Sequence, residues 1–249
     1  MHQAAERLLW ARREVQPIDH LPVELRPRTL GEAYALQDIV ALALAPVGGW
    51  KVGAPMPDAT PLFAPMPLWG GYLHSGERLG ATYSRLRGVE AEVAFQLGED
   101  LPVRAQAYTR EEVAAAIASA HPALEILESA FADPDATDRL SMVGDIQING
   151  GFVWGAAVAG WQSIVLEDET VELVIDGAVR SEGGMANPAG PDLLRLVTWL
   201  ANQGQSRTGG LRAGDWITTG SWTGKLYGGP GSTVVATFAH FGTVAMSFE

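Results

Sequence analysis

Glycine and proline punctuate this chain throughout: 29 Gly and 15 Pro are spread over 249 residues, and apolar runs are soon broken by one or the other. Gly reaches backbone conformations that other residues avoid, and Pro stops helices and disrupts central strands. A chain cut up in this way is expected to build many short elements joined by tight turns rather than a helical bundle. The same breaks fall well short of the roughly 20 apolar residues that a membrane helix requires, so no membrane span is expected. With 47% hydrophobic and 18% charged residues, the chain can still bury a sizeable core, and its length suits one main domain.

Lys and Arg number 17 against 29 Asp and Glu, a formal charge of −12, which disfavours broad contact with nucleic acid or an anionic membrane. There is no cysteine. Disulfides, thiolate nucleophiles and cysteine-ligated zinc or iron–sulfur centres are therefore excluded, and any metal must be held by oxygen or imidazole. No basic start followed by an apolar stretch is visible, so cytoplasmic residence is the expectation.

Ala4 to Arg13 reads as an amphipathic helix. After Pro17, Pro22 and Pro27, Thr29 is a predicted N-cap with Glu32 three positions on, opening a helix to about Leu44. From Gly49 the pattern turns to short strands. They are predicted at Val89–Leu97, Phe152–Ala159, Ser163–Leu166, Val171–Ile175, Trp216–Thr219, Val234–Phe238 and Val244–Phe248. A capped helix is predicted from Thr109 and Glu112 through Ser119, stopped by Pro122, and another over Asp192–Asn202. The sum is an α+β chain, with residues 1–48 a helical N-terminal extension and 49–249 a β-rich domain.

The most informative segment is Gly88-Val-Glu-Ala-Glu-Val-Ala-Phe95. In a strand Glu90 and Glu92 share a face and repel, so a divalent cation is one source of compensation; a half-solvated strand is the plainer reading. Glu125, among Leu124, Ile126 and Leu127, either lies on the polar side of a strand or joins the same site. All-oxygen ligation of this kind suits Mg2+ or Mn2+. Lys51, between Trp50 and Val52, either meets a carboxylate-rich pocket or snorkels to solvent. Gly220-Ser-Trp-Thr-Gly224, preceded by Thr218 and Thr219, clusters hydroxyls suited to holding a carboxylate, or is an ordinary turn. Lys225 follows this turn without P-loop spacing, no GxGxxG occurs, and His74 with Glu77 is a weak candidate acid/base pair.

Taken together, Ala33-Tyr-Ala-Leu-Gln37, Gly49-Trp-Lys-Val-Gly53, Glu90-Ala-Glu92-Val-Ala-Phe95, Asp100-Leu-Pro102, Pro122-Ala-Leu-Glu125, Phe152-Val-Trp-Gly155 and Ala213-Gly-Asp-Trp-Ile-Thr-Thr-Gly-Ser221 resemble, in order, the 2-keto-4-pentenoate hydratase branch of the fumarylacetoacetate hydrolase superfamily, which also contains the 4-oxalocrotonate decarboxylases. The resemblance implies a β-rich fold around a rolled mixed sheet, with Mg2+ or Mn2+ held by Glu90, Glu92 and Glu125. It implies Lys51 and Asp145 as catalytic residues, and Asn149 matches the dioate-hydratase variant. Thr219, Ser221 and Asn149 are the expected substrate-binding residues. A homo-oligomer is implied, with a pathway aldolase or decarboxylase as a candidate complex partner. Two departures stand out: Ile146 follows Asp145 where Asn is common, and Glu128-Ser-Ala130 replaces Asp-Ser-Arg.

The expected activity is addition of water to a 2-hydroxy-2,4-dienoate, or its 2-oxo tautomer, giving a 4-hydroxy-2-oxo acid. Lys51 would deliver a proton or stabilise the enolate, Thr219 and Ser221 would hold the substrate carboxylate, and Asp145 would position water. Decarboxylation of a 2-oxo-3-enedioate is the first alternative and needs a slot for the far carboxylate, for which Arg85, Arg87 and Arg139 are candidates. C–C hydrolysis of an acylpyruvate and a non-catalytic binding role are the others.

Overall fold

The computed structural model describes residues 1–81, 84–181 and 187–249. Its helices are α1 (His2–Arg13), α2 (Leu30–Ala43), α3 (Arg110–Ala116), α4 (Arg139–Gly144), α5 (Leu193–Gln203) and α6 (Gln205–Thr208). The strands are β1 (Val47–Gly53), β2 (Leu62–Pro67), β3 (Tyr72–His74), β4 (Arg78–Leu79), β5 (Gly88–Leu97), β6 (Ile117–Leu127), β7 (Asn149–Trp154), β8 (Val171–Ile175), β9 (Ala178–Ser181), β10 (Trp216–Ser221), β11 (Leu226–Tyr227), β12 (Thr233–Phe238) and β13 (Gly242–Phe248).

Eight strands form one mixed sheet in the order β2-β1-β10-β5-β6-β7-β3, with β11 also paired to β5. The β1/β10 and β3/β7 pairs are parallel and the other pairs in this sheet antiparallel. A second sheet runs β4-β13-β12-β8-β9. The main core lies between the two: Val89, Ala91, Val93 and Phe95 of β5, with Leu124 and Ile126 of β6, share a cluster with Leu173, Val234, Val244 and Met246. Strand alternation then turns Glu90, Glu92 and Glu125 to the opposite face of the large sheet.

A second core joins the N-terminal helices to later chain, where Leu8, Leu36 and Val40 pack with Ala130, Phe131 and Ile146. Because β1 starts at Val47, a division after residue 48 passes through that strand. No helix among the described residues is long and apolar enough to cross a membrane.

The caps follow local chemistry. Thr29 Oγ1 accepts from Glu32 N at 3.1 Å, although Glu32 returns to Arg28 N rather than to the cap residue. Thr109 and Glu112 form the full reciprocal box. The helix they open ends at Ala116, not Ser119, and Pro122 lies inside β6 opposite Val93 rather than ending a helix. Ten-residue pairing with β5 overrides the local helical pattern. Pro122 can accept from Gly155 N but cannot donate back, and His121 Nδ1 supplies the missing donor to Gly155 O at 2.9 Å. Burial lowers the His121 pKa, so the ring is neutral and its Nε2 accepts from Ser119 Oγ at 2.8 Å.

Two other expectations change. The predicted strand over Ser163–Leu166 is replaced by 3-10 turns at Trp161–Ser163 and Leu166–Asp168, anchored by Trp161 against Phe95. The strand beginning near Phe152 runs only from Asn149 to Trp154. The unpredicted strand β2 tolerates Pro65 and Pro67 because it lies at the end of its sheet.

Candidate metal centre and active-site cavity

Glu90 and Glu92 project from β5, and Glu125 stands directly opposite Glu90 in the β5/β6 register. One carboxylate oxygen from each lies within 4.8 Å of the other two. Glu125 and Glu92 are buried, whereas Glu90 is half-buried. Glu90, Glu92 and Lys51 line a cavity of about 420 Å3 together with Leu62, Gln147 and Ser221, and the buried Glu125 lies against them. That volume falls within the range of small-molecule sites.

The charges there are strongly perturbed. Burial raises Glu90 to about 7 against the pull of Lys51, with Glu125 adding to the rise. Burial, then Glu125 and Glu90, hold Glu92 well above the usual carboxylate range. Burial alone would lower the Lys51 pKa, but Glu125, Glu90 and Glu92 outweigh it and keep the ammonium charged. Lys51 Nζ donates to Glu125 Oε1 at 2.6 Å and to Gln147 O at 3.1 Å. Asn149 Nδ2 donates to the same Glu125 oxygen at 3.0 Å. The other oxygen, Oε2, is buried without a partner. A third carboxylate with an unsatisfied oxygen beside two acids that resist ionisation is an arrangement that a hard divalent cation fits.

Ser221 lines the cavity and hydrogen-bonds with Glu90. Thr219 does not share that position: its hydroxyl donates to Val93 O at 2.7 Å. The β5/β10 register shifts between Thr218 and Ser221 around Gly220, whose φ is +95°, so alternation is broken between the two hydroxyls. Gly220 N donates to Glu92 Oε2 at 2.9 Å, which ties that bulge to the acid cluster. The expectation that Thr219 holds substrate is corrected accordingly.

Asp145 is also placed elsewhere. Fully buried, it pairs with Arg12 Nε at 2.7 Å and accepts from Ser129 Oγ and Ala130 N at 2.7 and 2.9 Å. Both oxygens are engaged, so Asp145 fixes the chain behind the cavity rather than positioning water. Asn149, expected to touch substrate, supports Glu125. His74 is exposed, and Glu77 Oε2 accepts from its backbone N, not its ring.

Of the three arginines considered, Arg139 lines the cavity. Arg85 donates to Phe131 O and faces Glu128, and Arg87 donates to Arg85 O. Gln147 went unrecognised in the sequence. It sits in three successive left-handed residues, Ile146, Gln147 and Ile148, with φ of 46°, 49° and 57°. Its Nε2 is buried without a partner. Two β-branched residues in that region give no local signal for such a turn.

The fold and the acid cluster define an α+β protein with a candidate metal centre on one face of a rolled mixed sheet. Residues 72–249 match the family model for the fumarylacetoacetate (FAA) hydrolase C-terminal region, and the chain belongs to that family. Its fold is similar to 4-oxalocrotonate decarboxylase from Pseudomonas putida G7, complexed with magnesium and adipate, at 23% identity and a TM-score of 0.82, covering 99% of this chain and 96% of that one. It is also similar to 2-hydroxyhepta-2,4-diene-1,7-dioate isomerase from Mycobacterium marinum, at 19% identity and TM-score 0.59, covering 82% and 76%. Fumarylacetoacetate hydrolase from psychrophilic Exiguobacterium antarcticum gives 16% identity and TM-score 0.58, covering 83% and 76%. Comparison with curated proteins gives no match.

Proposed function

We propose that this chain is a divalent-metal-dependent lyase of small 2-oxo acids that adds water to a 2-hydroxy-2,4-dienoate to give a 4-hydroxy-2-oxo acid. The observation that carries the reading is the convergence of Glu90, Glu92 and Glu125 within 4.8 Å beside Lys51. These three carboxylates are the proposed holders of Mg2+ or Mn2+; magnesium is present in the complex of the decarboxylase of similar fold. When bound, the cation supplies Lewis acidity to the 2-oxo group of the substrate.

Lys51, kept charged by the acids around it, is the proton donor to the enolate or the group that stabilises it. Gln147 O and Glu125 fix its ammonium at two points, so the proton is held at a defined place. Ser221 orients the substrate head, and Leu62 gives the cavity an apolar side. Asn149 keeps Glu125 aimed while leaving Oε2 open. Residues 1–48 are proposed as an extension that braces the catalytic domain, and the chain as a cytoplasmic homo-oligomer, with a pathway aldolase or decarboxylase as candidate partner.

Decarboxylation of a 2-oxo-3-enedioate is the second reading, favoured by the withdrawal of Asp145 from the cavity. That removes the carboxylate expected to position water, whereas decarboxylation requires an electron sink and no added water. The experiment is to supply metal-stripped and Mg2+- or Mn2+-restored protein with a 2-hydroxy-dienoate and a 2-oxo-enedioate, following products by mass spectrometry. A metal-dependent water adduct without CO2 is expected; metal-dependent CO2 release transfers the assignment to the second reading, and silence with both acids sinks both.

A further inference from the structure

We infer that the side chain of Gln147 is a neutral hydrogen-bonding subsite of this cavity, selecting a 2-oxo acid with an uncharged oxygen at C4. The inference rests on the proposed metal-dependent site. Gln147 and Ser221 are the uncharged polar side chains that line the cavity among the described residues. Ser221 is engaged, hydrogen-bonding with Glu90 and accepting from Thr223 N at 3.3 Å. Gln147 Nε2 is buried with no partner. A buried amide left unpaired is unfavourable, and a bound oxygen relieves it.

Lys51 fixes where this amide stands relative to the three glutamates. Its ammonium donates to Gln147 O at 3.1 Å and to Glu125 Oε1 at 2.6 Å, so residue 147 is two hydrogen bonds from a proposed metal ligand. A side chain rooted there meets the first carbons beyond a 2-oxo head held at the glutamates. The turn that carries it is held from both sides, because Arg12 pairs with Asp145 at 2.7 Å and donates to Asn149 O at 3.0 Å. Ile148 N adds a bond to Asp145 O at 3.1 Å. Those contacts enforce left-handed φ values on Ile146, Gln147 and Ile148, and strain enforced in this way clusters at ligand sites.

Such a subsite suits hydration. When water adds across C3 and C4 of the 2-oxo-3-enoate tautomer, its oxygen bonds to C4 and keeps one hydrogen as the hydroxyl, while C3 gains the other proton. A carboxamide does not titrate, so Gln147 moves no proton; it donates to that oxygen or accepts from its hydrogen. It thereby serves the place left by Asp145, whose carboxylate is bound by Arg12, Ser129 and Ala130. Decarboxylation of a 2-oxo-3-enedioate puts no oxygen on C4 and gives the amide nothing to hold.

The test is calorimetric titration of the full chain in Mg2+ with 4-hydroxy-2-oxopentanoate and 2-oxopentanoate, which share a head and a five-carbon chain and differ in the C4 hydroxyl. The wild-type protein is expected to prefer the hydroxy acid by about tenfold, or about 1.4 kcal/mol. Gln147→Met, similar in size and likewise unbranched at Cβ, should bring that ratio toward unity. Its melting temperature certifies the fold, and Gln147→Leu is the second variant. A residue that only braced the turn would weaken both acids in parallel and leave the ratio unchanged. Glu92→Gln is the control for the metal-site reading. Binding of both acids that is absent, or indifferent to Mg2+ and to Glu92→Gln, removes that reading. Binding that requires Mg2+ and Glu92, but shows no preference in the wild type or a ratio that both Gln147 variants leave intact, overturns the Gln147 subsite alone.

Discussion

Lys51 Nζ lies 2.6 Å from Glu125 Oε1, although their strands, β1 and β6, are separated by β10 and β5. In a flat sheet three strand spacings would hold them about 14 Å apart at the backbone. The rolled sheet brings both side chains over the same concave face. This closure assembles the site from segments 74 residues apart.

Removing the lysine tests its chemical role. Lys51→Met is expected to lower kcat by about 10²- to 10⁴-fold, the range of a positioned acid or base, while the protein still binds Mg2+. Steady-state kinetics and metal titration on the same preparation check this, and retention of most of the wild-type rate would exclude Lys51 as the proton donor.

Loss of one acid should uncouple the metal from the fold. In metal-free protein Glu92→Gln removes a carboxylate whose charged form burial and the neighbouring Glu125 and Glu90 disfavour, so no loss of stability is expected. The rise in melting temperature that Mg2+ gives the wild type should disappear. A metal-induced rise of wild-type size in this variant would contradict Glu92 as a ligand.

Glu90 predicts how pH acts on the metal-free chain. Its pKa is raised from 4.5 to about 7 on folding, so the folded state binds more protons than the unfolded one in that window. Stability from this group is present below pH 4.5 and lost as pH rises toward and past 7. Mg2+ must displace that proton, so its stabilising effect should be larger at pH 8 than at pH 5.5. Thermal melts with and without Mg2+ at both values measure the difference, and an equal or reversed effect counts against the assignment.

The buried Arg12 clamp lies behind the cavity. Its guanidinium pairs with Asp145 and donates to Asn149 O, Glu128 O and Asp145 O, spanning the turn that presents Gln147 to Lys51. Arg12→Ala leaves the Asp145 carboxylate buried without its cation and is expected to destabilise by about 3–5 kcal/mol. Denaturant unfolding reads this value, and a change below about 1 kcal/mol would show that the clamp contributes little.

The two hydroxyls of β10 should separate. Thr219→Val removes the bond to Val93 O and is expected to cost about 1–3 kcal/mol of stability through an unsatisfied carbonyl. Ser221→Ala should leave stability nearly unchanged and raise KM. The opposite pattern, with Thr219→Val altering KM alone, would place Thr219 at the substrate.

Much of this was legible in one dimension. The period of two in Val89–Phe95 places Glu90 and Glu92 on one face wherever the strand is used, and Thr109 with Glu112 specifies a helix start from local hydrogen bonding alone. The ordered short motifs pointed to the family that residues 72–249 match. The extent of the helix after Thr109 was not legible, because β5 pairing captures Ile117 onward and His121 compensates for Pro122. Nor were the destinations of Asp145 and Thr219. Asp145 is claimed by Arg12 from 133 positions away, and the bulge at Gly220 breaks the alternation linking Thr219 to Ser221. Residue type and spacing thus determined which side chains could act together along one strand. Which partner each one meets across the sheet was decided by sheet curvature, register and burial, since these depend on long-range pairing that no local window contains.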